Sequence, residues 1–287
     1  MSRIAYVNGL FVPRREASVH IEDRGYQFAD AIYEVWAVFG GKLADPEGHF
    51  ARLGRSLGEL GIEMPMARAA LTLVLKETLR RNRIREGLLY LQVSRGVAPR
   101  DHAFPTRATA PAIVITVNRV DREATEARAK KGVSVITTPE NRWGRCDIKT
   151  VGLLSNALAK QAAREAGAAE AWYVDTLGFV TEGASSNAWI VDQDGTLRTR
   201  DTNANILRGV TRLSLLDVAR NAGFTVNERP FTPDEAVTAR EAFTTGAGAL
   251  VLPVIAIDGR PVGTGSPGPV AARLRKLYVE HAIATAI

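Results

Sequence analysis

What this chain has little of narrows the field first. Among 287 residues there is a single cysteine, Cys146, so no internal disulfide is available and a reducing compartment is the expectation. A catalytic thiol would need an activating base, and none is identifiable near Cys146. Histidine is equally sparse, and His20, His49, His102 and His281 are scattered without metal-ligand spacing. No apolar run reaches the ~20 residues of a membrane span. The opening Met1-Ser-Arg-Ile-Ala lacks the apolar core of a secretion signal, and a cytoplasmic protein is expected. Internal repeats and low-complexity tracts are missing too. The net charge of +6 comes from basic residues interspersed with acidic ones. Without a basic run carrying interleaved aromatics, that charge reads as a general attraction for small anions, not as a nucleic-acid footprint.

What is there fits an ordinary globular protein: 46% hydrophobic and 24% charged residues, in a length suited to one large domain or two modest ones. Two are expected: a small N-terminal α/β domain over 1–120, a charged linker over 121–131 (DREATEARAKK), and a larger C-terminal domain over 132–287. Ile4 to Phe11 reads as a hairpin around Asn8-Gly9. Ile32 to Phe39 reads as a strand opened by Tyr33 and Glu34. Helices are expected over Phe50 to Ile62, with Arg52 near the start, and over Met66 to Arg81, with strands at Leu88 to Ser94 and Ala112 to Val117. The intervening loop holds Arg100 and His102 between Pro99 and Pro105, a pair of cation-capable side chains suited to a carboxylate.

One lysine stands out in a chain where arginine far outnumbers lysine. Lys149, in RCDIKTVGLL, lies between a predicted strand (Gly132 onward) and a helix expected from Leu153 to Gly167. A lysine in a partly desolvated pocket loses proton affinity and becomes a carbonyl-reactive amine, which points to a Schiff base; the alternative is a surface lysine at a helix start. Further on, Glu182 precedes the small-residue run Gly-Ala-Ser-Ser, where backbone can approach a ligand closely. The amides of Val210 and Thr211, ahead of a helix expected over Leu213 to Ala222, can bind an anion. The loop at Gly246-Ala247 can cradle phosphate. Its Gly246-x-Gly248 lacks the third glycine, long helix and later acid of a dinucleotide fingerprint.

Taken together, EDRGYQFADAIYEV (22–35), SRGVAPRDHAF (94–104), RCDIKTVGLLSNALAKQ (145–161), VTEGASSNAW (180–189) and ILRGVTR (206–212) closely resemble the D-amino acid aminotransferases. These belong to the fold type IV pyridoxal-phosphate enzymes, class IV aminotransferases. The resemblance spans nearly the whole chain. It implies a mixed α/β (α+β) fold of two domains with pyridoxal 5'-phosphate between them, and a homodimer. It also implies transamination of D-amino acids of the D-alanine and D-glutamate class with 2-oxo acids such as 2-oxoglutarate or pyruvate, in a ping-pong cycle through the pyridoxamine form. By the same resemblance Lys149 is the Schiff-base lysine and proton carrier, and Glu182 pairs with the pyridine nitrogen. Arg52, Val210, Thr211, Gly246 and Ala247 hold the cofactor phosphate region, and Tyr33, Arg100 and His102 take the substrate carboxylate, the last two reaching the neighbouring subunit's site. The family carries serine and threonine where this chain has Gly246 and Ala247, so looser cofactor retention is expected. Rival readings are an (R)-selective amine transaminase or branched-chain aminotransferase, an aminodeoxychorismate lyase-like enzyme, and a non-catalytic binder with an anion pocket. Small-molecule substrates are expected, with no nucleic acid, membrane or metal.

Overall fold

The computed structural model describes residues 3–202 and 206–287. It divides into two compact units, and the chain does not partition between them in one cut. The first unit takes the chain up to Asp121 together with Ile148–Gly152 and Thr285–Ile287. The second takes Arg122–Asp147 and Leu153–Ala284.

The first unit is built on β1 (Ile4–Val7), β2 (Leu10–Pro13), α1 (Arg24–Phe28), β3 (Ala31–Phe39), β4 (Lys42–Leu43), α2 (Pro46–Glu59), α3 (Arg68–Asn82), β5 (Gly87–Ser94) and β6 (Ala112–Arg119). Its six strands form an antiparallel sheet in the order β2-β1-β6-β5-β3-β4. The β1–β2 turn falls at Asn8-Gly9 as expected, both at positive φ (45° and 97°). Alternation then sets the two faces. Ile32, Trp36 and Val38 of β3, Leu89, Leu91 and Val93 of β5, and Ile113, Ile115 and Val117 of β6 bury one face with Leu53 and Leu57 of α2 and Leu71, Leu75 and Leu79 of α3. Each such leucine contributes about 2 kcal/mol of burial. The intervening Tyr33, Val35, Tyr90 and Gln92 stay partly exposed on the other face. Helix α2 begins at Pro46, one turn before the expected Phe50, because Asp45 and Pro46 supply a start ahead of the apolar stripe.

The second unit contains α4 (Arg122–Lys131), β7 (Val133–Pro139), α5 (Leu154–Glu165), β8 (Glu170–Val174), β9 (Val180–Gly183), β10 (Asn187–Val191), β11 (Leu197–Thr199), α6 (Val210–Asn221), β12 (Val226–Glu228), α7 (Pro233–Thr238), β13 (Glu241–Gly246), β14 (Leu250–Ile257), β15 (Arg260–Pro261) and α8 (Pro269–Ala284). Its mixed sheet runs β12-β11-β10-β13-β14-β7-β8-β9, with β15 on β14. The parallel β7–β8 pair is joined through α5. Trp172, Val180, Ile190, Phe231, Leu252 and Val254 are among the residues that fill its main core.

Two expectations about organisation need correcting. Of residues 121–131, read as a linker, Arg122–Lys131 form helix α4 inside the second unit, where Ala129 is buried and Glu126 pairs with Arg275 of α8 at 2.7 Å. The segment carrying Lys149, expected in the C-terminal domain, groups with the first unit because its backbone is bound to β3. Among the described residues no helix is long and apolar enough to cross a membrane, and no group of three or more His, Cys, Asp or Glu could hold a metal ion.

Candidate active site

Lys149 owes its position to backbone hydrogen bonds. The Tyr33 N–H donates to the Lys149 carbonyl at 2.9 Å, the Val151 N–H donates to the Ala31 carbonyl at 3.2 Å, and Ile32 bridges Thr150. Residues 148–152 thus add a short segment to the end of β3, with Ile148 buried in the core as its anchor. The lysine side chain is half-buried, and Nζ lies 4.1 Å from the centroid of the Tyr33 ring. An ammonium over an aromatic face gains roughly 0.5–2 kcal/mol. Among the described residues Nζ has no hydrogen-bond or ion-pair partner. Tyr33 in turn stacks on Tyr90 at 5.6 Å, and Tyr90 donates to Gln92 Oε1 at 2.8 Å. Burial, helped by Tyr33, pushes the Tyr90 phenol up to about 12.

Beneath that strand, on the core face, lies a charged group that the sequence motifs do not single out. Glu34 is fully buried between Ile32 and Trp36. Its two oxygens accept from Arg52 Nε and Nη2, each at 2.8 Å, and from His49 Nδ1 at 2.6 Å. Burial raises the Glu34 carboxyl, but the Arg52 charge and the Arg52 and His49 hydrogen bonds outweigh it and hold the group at about 2. Burial pushes His49 below its ordinary value against the pull of Glu34, and because an ionised Glu34 only accepts, His49 Nδ1 carries the proton of that bond. Arg52 is therefore fixed by a bidentate carboxylate on the core side of the sheet, a more defined setting than a surface helix position. A signal for this exists in the sequence: the period-2 alternation of β3 places an acid among core residues, and a buried acid demands a cation.

Arg100 and His102 sit on the loop after β5. Both are exposed, and among the described residues neither has a hydrogen bond or ion pair; each rests on the Phe28 ring, at 5.1 Å for Arg100 and 5.6 Å for His102.

The second unit presents a separate arrangement around Glu182, which is buried on β9. Arg142 Nη1 donates to Glu182 Oε1 at 2.6 Å, the Leu207 N–H to the same oxygen at 3.1 Å, and Asn187 Nδ2 to Oε2 at 3.0 Å. Burial raises the carboxyl from its ordinary value, against the pull of Arg142 and the Leu207 amide. Arg142 also forks onto Glu140 at 2.8 and 2.6 Å and lies over the Tyr173 ring at 4.4 Å. Burial works against the Arg142 charge, but its two carboxylates prevail and raise it. Asn187 is positioned by Gly209: a Cβ there would lie 2.0 Å from the Asn187 side-chain oxygen. Gly209 is also the residue before α6, which begins at Val210, earlier than the expected Leu213, and no side chain caps that end. The amides of Val210 and Thr211 are thus at an uncapped helix N-terminus, the arrangement an anion favours.

Gly246 ends β13, and Ala247 opens the three-residue connection to β14. A Cβ on Gly246 would approach the Ser185 carbonyl oxygen at 3.2 Å. The glycine therefore has a packing reason, besides leaving a hydroxyl out. Cys146 is buried, and burial pushes its thiol up to about 11; Sγ donates to the Trp143 carbonyl at 3.1 Å. That is the state of an unactivated cysteine. Of the residues expected at the site, Lys149, Tyr33 and Arg52 share β3 and its neighbours, while Glu182, Val210, Thr211, Gly246 and Ala247 belong to the second unit. Glu34, His49, Arg142 and Asn187 are additions that sequence reasoning missed.

The chain belongs to the amino-transferase class IV family, whose model matches residues 31–257. Among curated relatives it is 41% identical over 268 residues to the D-alanine aminotransferase of Bacillus licheniformis, covering 93% of each chain. It is 39% identical over 277 residues to that of Staphylococcus aureus (strain MSSA476), covering 96% of each. Among solved structures it is similar to the T.th. branched-chain amino acid aminotransferase with pyridoxamine 5'-phosphate, with TM-score 0.89, 30% identity and coverage of 98% of this chain and 94% of that one. The Escherichia coli branched-chain amino acid aminotransferase, at 22% identity and TM-score 0.87 over 98% of this chain and 95% of that one, shares the fold.

Proposed function

We propose that this chain is a pyridoxal-phosphate-dependent aminotransferase of D-amino acids, of the D-alanine and D-glutamate class, with 2-oxo acids such as pyruvate or 2-oxoglutarate as acceptors. The near-full-length identity to D-alanine aminotransferases supports the substrate class. The observation that carries the catalytic assignment is the free Lys149 amine held over Tyr33 by the backbone of β3. The donor set fits the cofactor: an amine for its aldehyde, a buried carboxylate for its ring nitrogen, and uncapped amides for its phosphate. When bound, pyridoxal phosphate supplies an electron sink that stabilises negative charge at the substrate Cα.

In this reading Lys149 Nζ would hold the cofactor through its aldehyde and, once the incoming substrate amine has released it, would take the proton from substrate Cα. Tyr33 limits where the amine can swing. Glu182, held by Arg142, Asn187 and the Leu207 amide, would pair with the cofactor's ring nitrogen and favour its protonated form. Arg52, oriented by Glu34, is the first unit's candidate for holding phosphate, and the amides of Val210 and Thr211 with the loop at Gly246 and Ala247 are the second unit's. Arg100 and His102 receive the substrate carboxylate, together with Tyr33. Because both lie on an exposed loop, beside exposed Val19, Ile21, Tyr26, Val97 and Phe104, the reading places them at a second copy's site and makes a homodimer the catalytic unit, in the cytoplasm.

The test is the visible spectrum of the purified protein with each amino donor added singly, without acceptor. D-alanine should bleach the yellow Schiff-base band, and Lys149→Ala should lose turnover by at least about 100-fold. Bleaching chiefly by L-leucine would move the substrate to the branched-chain class that the solved structures represent. A Lys149→Ala variant with full turnover would sink the lysine assignment.

A further inference from the structure

Arg24 is one of the most deeply buried charged side chains in the first unit, at 2% exposure. Its Nε is paired with Asp30 Oδ2 at 2.8 Å, and its Nη1 donates to the Asp101 carbonyl at 2.7 Å. Asp101 is the residue between Arg100 and His102. Asp30 is held from the other side by Arg95, at 2.7 and 3.0 Å, and Arg95 begins the same loop. Arg24 also lies over the Phe28 ring at 4.7 Å, the ring on which Arg100 and His102 rest. One buried guanidinium thus holds both the backbone between the two exposed cations and the aromatic platform under them.

We propose that Arg24 is a positioning residue for substrate-carboxylate recognition, fixing the Arg100-Asp101-His102 loop through the Asp101 carbonyl and Phe28. This rests on the reading that Arg100 and His102 receive that carboxylate. Surface arginine and histidine side chains lose rotamer freedom on binding an anion, and a pre-set backbone and a shared ring reduce that loss. The hydrogen bond is charge-assisted and part-buried, and it reaches residue 101, beyond the backbone ties that fix the start of the loop at Gly96 and Ala98. Asp23 completes the mounting by capping α1 at the Gly25 amide (2.8 Å) and accepting from Ser94 Oγ (2.8 Å), so Arg24 sits on a rigid base.

Arg24→Met and Phe28→Leu are compared with the parent holoenzyme. With Arg24→Met, KM for D-alanine and the inhibition constant of propionate, a bare carboxylate, should each rise by roughly tenfold, while kcat changes less than about twofold. Hydroxylamine, which needs no carboxylate site, should quench the Schiff-base band at the parent rate. Amide hydrogen exchange over residues 99–105 should accelerate, and Arg24→Lys should recover part of the loss. Phe28→Leu, which leaves the Asp101 bond intact, should raise the same two constants without the full exchange increase. Unchanged exchange and unchanged propionate inhibition in Arg24→Met would overturn the proposal, as would equal slowing of hydroxylamine. Should Arg100→Ala leave propionate inhibition untouched while Arg24→Met still loosens the loop, the carboxylate reading fails and the Arg24 tie to the loop stands.

Discussion

Replacing Glu34 by glutamine keeps the shape of the side chain and removes its charge from a fully buried site. The fall of its carboxyl from the ordinary 4.5 to about 2 is about 2.5 pH units, and at about 1.4 kcal/mol per unit this is about 3 kcal/mol favouring the ionised form in the folded protein. The sign follows from the depressed value: the contribution is complete above pH 4.5 and is lost as pH falls toward about 2. Glu34→Gln should therefore cost about 3 kcal/mol at pH 7, within the roughly 3–5 kcal/mol seen when one partner of a buried pair is removed. With a urea dependence of about 1–3 kcal/mol per molar, the unfolding midpoint followed by tryptophan fluorescence should drop by about 1–3 M. The difference from the parent should shrink as the experiment is repeated from pH 7 toward pH 3. A Glu34→Leu/Arg52→Met double variant should lose less than the two single variants summed, because neither charge is left without the other. A midpoint within about 0.3 M of the parent at pH 7 would refute the view that the Arg52 and His49 contacts outweigh the cost of burial.

Gly209→Ala should push Asn187 off Glu182 and loosen cofactor retention several-fold, read as the rate of spectral loss on dialysis; an unchanged rate would mean that Asn187 does not matter there. Ala247→Thr should tighten cofactor binding by about fivefold if its hydroxyl gains one hydrogen bond of roughly 1 kcal/mol. Gly246→Ser should instead lose about 1–3 kcal/mol of stability by crowding the Ser185 carbonyl, and calorimetry on the pair separates the two effects. Cys146→Ser should retain activity, and Cys146 in the folded parent should react with a thiol reagent at pH 8 far more slowly than after denaturation. Rapid labelling coupled to inactivation would contradict its burial.

How far these arrangements are legible in the sequence depends on how local their causes are. The Asn8-Gly9 hairpin, β3, and the helix after Lys149 rest on turn chemistry and periodicity within a few residues, and they stand where expected. Helix α4 reads as a linker because only Ala129 is buried along it, and the partner that holds Glu126, Arg275, is distant in sequence. The start of α2 is signalled by Asp45-Pro46, but the leucine stripe at 53, 57 and 60 suggests a later boundary. Lys149 and Glu182 stand out through their motifs and Arg52 through its place near a helix start, whereas Glu34 and Asn187, although inside quoted motifs, carry no mark of the pairing they make. Glu34 acts on residues 15 and 18 positions away and Asn187 ties Glu182 to the Leu207 carbonyl 20 positions on, and the attachment of residues 148–152 to β3 is made by main-chain groups that carry no side-chain pattern.

That attachment bears on how the protein is made. Leu43 exchanges backbone hydrogen bonds with Ile287, at 3.0 and 3.2 Å, and β3 takes up residues 148–152. A ribosome delivering this chain from its N-terminus therefore emits the six strands of the first unit long before the segments that complete it. The edge beside Tyr33 stays open only until residues 122–147 have followed, whereas the edge at Leu43 must wait for Ile287 until nearly all of the second unit has been translated, and that waiting edge is where a chaperone or a misplaced strand would compete.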